Sequence, residues 1–363
     1  WDKENDPIIQ VACGAASTLF LTSHGKVYTT GTIHGRIRPS PVRTIIQLPL
    51  KCVQIAAGRH FCLGRMEGGL AVVSWGAGHF GQLGLGNAQP LVEQPTVIEG
   101  LLPHVTGSPV ATVVAGYWHA MAVTEAGHVW AWGCNRNHQC GRKRPGDASN
   151  PSESNSNNPP PTLLVPQAVP NLGQERKIVK IAAGRAHSVA LDSKGAVYCW
   201  GSSSYGQCSG TITSKRKCGI APPRQVEALQ KVTIIDIAAG ETHTLALTGG
   251  GRVFAWGSSV EGQLGLGACI QANPKPKYVG DLDFVAIAAS REWKREQREN
   301  GNGVGLPESK SEDSTVALNS SRHHTLSQVP RIVKVQACAN YSVATSSSGH
   351  IYTWGCNDVG TLG

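Results

Sequence analysis

One spacing recurs along the chain and limits what it can fold into. A small residue follows an apolar run, and a Trp follows 16 residues later. Gly116 and Trp132, Gly184 and Trp200, Gly240 and Trp256, and Cys338 and Trp354 all stand at this interval. Gly58 and Trp75 are 17 apart, and Gly14 is 16 residues before Thr30. Between the markers lie x-x-His or its substitute, a short apolar stretch, a Gly turn and a second apolar-aromatic stretch. "HSVAL" and "AVYCW" alternate apolar and polar residues over a few positions and then break at Gly, which is strand periodicity. No unit carries a 3.6-residue pattern of useful length.

Seven starts fit the template: Gly14, Gly58, Gly116, Gly184, Gly240, Ser290 and Cys338. Each opens a unit of three or four short strands, the content of one propeller blade. Forty-three glycines and 21 prolines in 363 residues make the turns. The 40% hydrophobic content is enough for a large core.

The series Gly-x-x-His, Trp-Gly, Gly-Gln-Leu-Gly resembles the repeat of the regulator-of-chromosome-condensation (RCC1-like) family. The last element reads "GQLGLG" at 81–86, "GQCSG" at 206–210, "GQLGLG" at 262–267 and "GTLG" at 360–363. The resemblance spans nearly the whole chain. It implies an all-β, seven-bladed β-propeller of RCC1-like repeats, a single domain over 1–363. Blade 6 is expected to be degenerate, because "FVAIAAS" at 284–290 runs into a charged, Gly-rich segment. Loop insertions are expected at about 142–171 and 291–328. The chain begins without Met and ends before an outer strand, which suggests a fragment of a longer protein.

The composition excludes several classes. No 18-residue apolar run exists to span a membrane as a helix. Eleven scattered cysteines without a CxxC pair read as free thiols in a reducing, intracellular setting, cytoplasm or nucleus. Cys13, Cys62, Cys199 and Cys338 sit in apolar runs and are expected to be buried. Gly-x-Ser-x-Gly, GxxxxGK[ST] and HExxH are absent, so the chain is read as no enzyme, without catalytic residues or cofactor. His119, His187 and His243 occupy equivalent places in different blades and should not converge on a metal. Cys134, His138 and Cys140 lack a second ligand pair. No metal is expected.

The informative positions are the variable ones between Gly and His. They should form one loop per blade on one face. The candidate partner-contact residues are Arg59, His60, Tyr117, Trp118, Arg185, Glu241 and Thr242, a set suited to an acidic protein surface. The formal charge of +9 agrees. A candidate basic patch comprises Arg142, Lys143, Arg144, Lys215, Arg216 and Lys217. The expected function is a non-catalytic protein-interaction propeller, a scaffold or regulatory module. Two alternatives stand beside it, the first implied by the resemblance and the second by the +9 charge and the basic clusters. One is guanine-nucleotide exchange on a Ran-type small GTPase, where the family places acidic face loops and a β-wedge. Here only Glu241 and Glu292 are acidic and no wedge is evident. The other is a chromatin or DNA adaptor. The family's plant ultraviolet-B receptors use Gly-Trp-Arg-His clusters, and this chain has only Gly-Tyr-Trp-His at 116–119.

Overall fold

The computed structural model describes residues 5–32, 44–142, 162–172, 177–209, 220–267, 271–282, 330–358, 360 and 362. These form six antiparallel sheets, each a simple meander, arranged side by side in chain order. Blade 4 is representative. Its strands are Ile178–Ala183, His187–Asp192, Val197–Ser202 and Ile220–Gln225, from the inner strand outward. Blades 1, 2, 3 and 5 have the same four strands over 8–46, 52–97, 110–168 and 234–278. Blade 6 has three, over 332–355.

The described residues thus hold six blades, not the expected seven. The expected start at Ser290, and Arg291-Glu292, lie outside them. The unit beginning at Cys338 packs directly on blade 5. Trp354 Nε1 donates to the Gln263 carbonyl (2.9 Å), and Val335 N–H donates to Asp236 Oδ2 (3.3 Å). No blade fits between them. The expected insertion at 142–171 is also corrected, because Thr162–Ala168 is the outer strand of blade 3. Pro166 is tolerated there because an edge strand leaves half its N–H groups unpaired. Most of 291–328 lies outside the described residues.

The apolar cores lie between blades. Inner-strand residues Ile55, Val113, Ile181, Ile237 and Val335 are buried against the preceding blade. A polar joint fixes three of these layers, those between blades 3 and 4, 4 and 5, and 5 and 6. His119 Nε2 lies 3.0 Å from Ser188 Oγ on the next blade. Ser188 Oγ donates back to the Gln139 carbonyl (2.7 Å), and Trp200 Nε1 donates to the same oxygen (2.9 Å). The set recurs as His187, Thr244, Gln207 and Trp256, and as His243, Ser342, Gln263 and Trp354. Because the hydroxyl proton goes to the carbonyl, each His must donate through Nε2. Its Nδ1 is then a buried acceptor without a partner. Between blades 2 and 3, Phe61 stands for His and Ala120 for Ser, so a polar pair is exchanged for an apolar one. Trp132 still donates to the Gln82 carbonyl (2.8 Å).

Two glycines show why the template needs them. A Cβ on Gly184 would lie 2.2 Å from the His187 ring and 2.4 Å from the Gly240 carbonyl. Gly201 adopts φ 100°, and its Cβ would meet the Ala186 carbonyl at 2.6 Å. The cysteines divide differently from expectation. Cys62 and Cys199 are buried, whereas Cys13 and Cys338 are exposed. Both end inner strands, of blades 1 and 6, and the neighbouring inner-strand residue Val11 is itself 50% exposed where Ile55 is 1%.

Burial holds His119 and His243 down at about 3 and His187 at about 4. In the unfolded chain they take up protons near pH 6.5. The folded state cannot, so the histidine contribution is complete above about pH 6.5 and is lost as pH falls towards about 4. The denaturant midpoint should drop across this window, and His187→Gln should flatten the fall. Trp200→Ala, which removes a buried indole, should cost about 3–5 kcal/mol in equilibrium unfolding.

Candidate functional site

The loops between inner strand and second strand lie at one end of the propeller and are bonded to each other. Ala15 N–H donates to the Arg59 carbonyl (3.1 Å), Arg59 N–H to Tyr117 (3.4 Å) and Tyr117 N–H to Gly184 (3.3 Å). Arg185 N–H donates to Glu241 (3.2 Å), and Glu241 N–H to Ala339 (2.8 Å). The variable pairs are therefore held in register from blade to blade.

This register gathers most of the predicted contact residues. The Arg59 guanidinium lies 5.2 Å from the Tyr117 ring centre and 5.4 Å from that of Trp118. His60 packs against Trp118 at 5.6 Å. Arg185 is 5.8 Å from the Tyr117 ring, and its Nη1 donates to Glu241 Oε1 (2.5 Å). The Tyr117 hydroxyl donates to Glu241 Oε2 (3.1 Å). One carboxylate thus fixes both an arginine and a tyrosine. Thr242 makes none of these contacts; its carbonyl accepts the Ser258 N–H (2.9 Å).

Two further residues join the cluster that the variable pairs did not include. Phe80 meets Trp118 edge-on at 5.0 Å, and Arg136 lies 5.7 Å from the Phe80 ring. Both stand in the stretch between Trp-Gly and Gln, which repeats strongly enough to pass for scaffold. Their variability between units was the available signal. Beside them is a pocket of about 210 Å³, lined by Phe80, Trp118, Arg136, Asn137, Arg185 and Ala186 among others.

The cluster contains three guanidiniums and one carboxylate. Among the described residues, neither Arg59 nor Arg136 is paired with an acid; each is held on aromatic rings instead. Burial, with the Arg59 charge beside it, pushes His60 below its ordinary range. Burial and then the Glu241 charge push Tyr117 up. A surface of this kind offers planar donors and flat apolar area, and no nucleophile–base pair.

Of the candidate basic patch, only Arg142 is among the described residues. Lys143, Arg144, Lys215, Arg216 and Lys217 lie outside the described residues. Arg142 is turned to its own blade, with Nη2 donating to the Ala168 carbonyl (2.9 Å). His119, His187 and His243 sit in three separate joints, as their equivalent positions required.

Six meanders, the second to sixth joined through Trp–Gln bonds, with the variable loops on one face, define a repeat β-propeller. The chain belongs to the RCC1-like domain family, whose family model matches residues 2–294. It is 32% identical to the ultraviolet-B receptor UVR8 of Arabidopsis thaliana over 77% of this chain and 60% of that protein. It is 31% identical to the E3 ubiquitin-protein ligase HERC2 of Homo sapiens over 74% of this chain but 6% of that protein. The chain therefore spans less than two thirds of these relatives. The crystal structure of human WBSCR16 superposes with a TM-score of 0.73 at 18% identity, covering 99% of this chain and 79% of that one. Prp20p of Saccharomyces cerevisiae, described with binding properties to Gsp1p and histones, gives 0.66 at 20% identity, over 94% and 69%. At these identities the two structures speak for the fold. No helix among the described residues is long and apolar enough to cross a membrane.

Removing the carboxylate should be visible at Tyr117. Glu241→Gln should bring its phenol ionisation back towards the ordinary tyrosine range, read by ultraviolet pH titration against the parent protein.

Proposed function

We propose that this chain is a non-catalytic docking module whose loop face takes an acidic segment of a protein partner. The observation that carries this is the stack Arg59–Trp118–Phe80–Arg136. It holds two guanidiniums on aromatic rings, with no acid paired to them among the described residues. A partner carboxylate supplies the missing charge, and the rings supply apolar contact around it. The nine described cysteines are free thiols, which suits the reducing interior of a cell, cytoplasm or nucleus.

Prp20p is the reason to weigh a small GTPase or histones as the partner class. The face argues for affinity rather than exchange. Its cluster is cationic and aromatic, with Glu241 already engaged by Arg185 and Tyr117.

Fluorescence anisotropy with a labelled Asp/Glu-rich peptide tests the reading. The parent protein should bind it, more weakly as salt rises. The Arg59→Ala/Arg136→Ala variant should lose on the order of tenfold in affinity, about 1.4 kcal/mol. Equal binding by both proteins would sink the proposal. Nucleotide release from a purified Ran-type GTPase should be unchanged by the protein; acceleration would favour exchange instead.

A further inference from the structure

The joints also place a second ring of variable positions, and these differ in a graded way. Each joint Gln accepts, through its Oε1, the N–H of the residue two before it. Gln82 does so for Phe80 (2.8 Å), Gln139 for Asn137, Gln207 for Tyr205 and Gln263 for Glu261 (each 2.9 Å). The same scaffold residue therefore presents one variable side chain per blade on the loop face. The next blade carries a second variable residue at the equivalent position, four after its Trp: Arg136, Ser204, Val260 and Asp358. Arg136 is close to Phe80, and Asp358 to Glu261. The pocket containing Phe80, Arg136 and Asn137 together with Trp118 and Arg185 shows that both rings share one surface.

Read from junction to junction, the pairs change character. Between blades 2 and 3 stand Phe80 and Arg136, an aromatic and a cation 5.7 Å apart. Between blades 3 and 4 stand Asn137 and Ser204, both neutral and polar. Between blades 4 and 5 stand Tyr205 and Val260, 43% and 61% exposed. Between blades 5 and 6 stand Glu261 and Asp358, both exposed, with Cys356 between them. Their ligand atoms all lie within 4.8 Å of one another. Two carboxylates so close repel unless a positive group sits over them. The cationic and acidic junctions are three blades apart in the order of the six described blades.

We infer that the face reads a charge-graded segment: a carboxylate over blades 2–4, an apolar side chain on Tyr205 and Val260, and a Lys or Arg over Glu261 and Asp358. The inference rests on the docking reading above and adds direction to it. An acidic group alone satisfies half of the surface. A segment with its basic end over blades 2–4 meets like charge at both ends, so the grading fixes which way the partner lies.

The probes are three labelled peptides that share an acidic block and an apolar spacer, and end in Lys residues, in Gln residues or in Glu residues. The parent protein should bind the Lys-ended peptide about tenfold more tightly than the Gln-ended one, and the Glu-ended one most weakly. Glu261→Lys/Asp358→Lys should invert the order of the Lys- and Glu-ended peptides and leave the Gln-ended one unchanged. Because both residues are exposed, circular dichroism and the thermal midpoint should match the parent. Equal binding of the Lys- and Gln-ended peptides would overturn the grading while leaving the docking reading intact. Failure of all three to bind would overturn the docking reading itself. Two other outcomes also overturn the grading. One is a Lys preference that disappears with EDTA, which assigns the acidic junction to a divalent cation. The other is sedimentation showing parent self-association that the double variant loses, which assigns it to a second copy of the chain.

Discussion

From blade 2 onward the propeller hangs on one carbonyl per interface, that of Gln82, Gln139, Gln207 or Gln263. The oxygens of Gln139, Gln207 and Gln263 each accept an indole N–H and a hydroxyl from the next blade, and the hydroxyl in turn accepts the blade's own His. These groups are fully desolvated, where an unmade hydrogen bond is expensive and a made one is directional. The apolar layers between blades would tolerate small slides, and the joints do not. They set the angle and height of each blade against its neighbour. The variable loops are thereby delivered to one face in register. The binding surface is a consequence of a packing device.

The joint also explains what could be read in the sequence and what could not. The interval from Gly to Trp is legible because both partners of a rigid contact are encoded at fixed distance: Gly184 makes room for His187, and Trp200 reaches the preceding Gln. Blade count was not legible from strand pattern alone, since "FVAIAAS" alternates as well as "IVKIAAG" does. A stricter requirement would have separated them. From blade 3 onward each described blade has a Trp that engages the preceding Gln, and Ser290 has Leu306, not Trp, 16 residues on. Pairing Gln263 with Trp354 follows from that rule.

The candidate site was half legible. Arg59, Tyr117, Trp118, Arg185 and Glu241 lie in positions whose variation from unit to unit marks them as free of scaffold duty. Their mutual contacts were not legible, because they are made between blades. Arg59 and Tyr117 are 58 positions apart in sequence, and Tyr117 and Glu241 are 124. Phe80 and Arg136 were hidden by standing beside the Gln and Gly that repeat most strongly. Variation inside a conserved-looking frame, rather than outside it, was the signal there.

The two outermost faces of the array have a thermodynamic consequence. Val11 on blade 1 is 50% exposed and Ile351 on blade 6 is 68% exposed, whereas Ile55 and Val197 in the same places are 1% exposed. Each of these end blades shares an apolar core with one described blade, and each inner blade with two. Stability in such an array is a sum over nearest-neighbour interfaces, so it is shared unequally. Blades 3 and 4 each share two of the described cores, so their amide protons will exchange with solvent only in rare, large openings. The residues of the basic-aromatic cluster come from blades 2 to 5, the slowly exchanging middle. The acidic pair at Glu261 and Asp358 lies at the last described interface, where blade 6 shares a single described core.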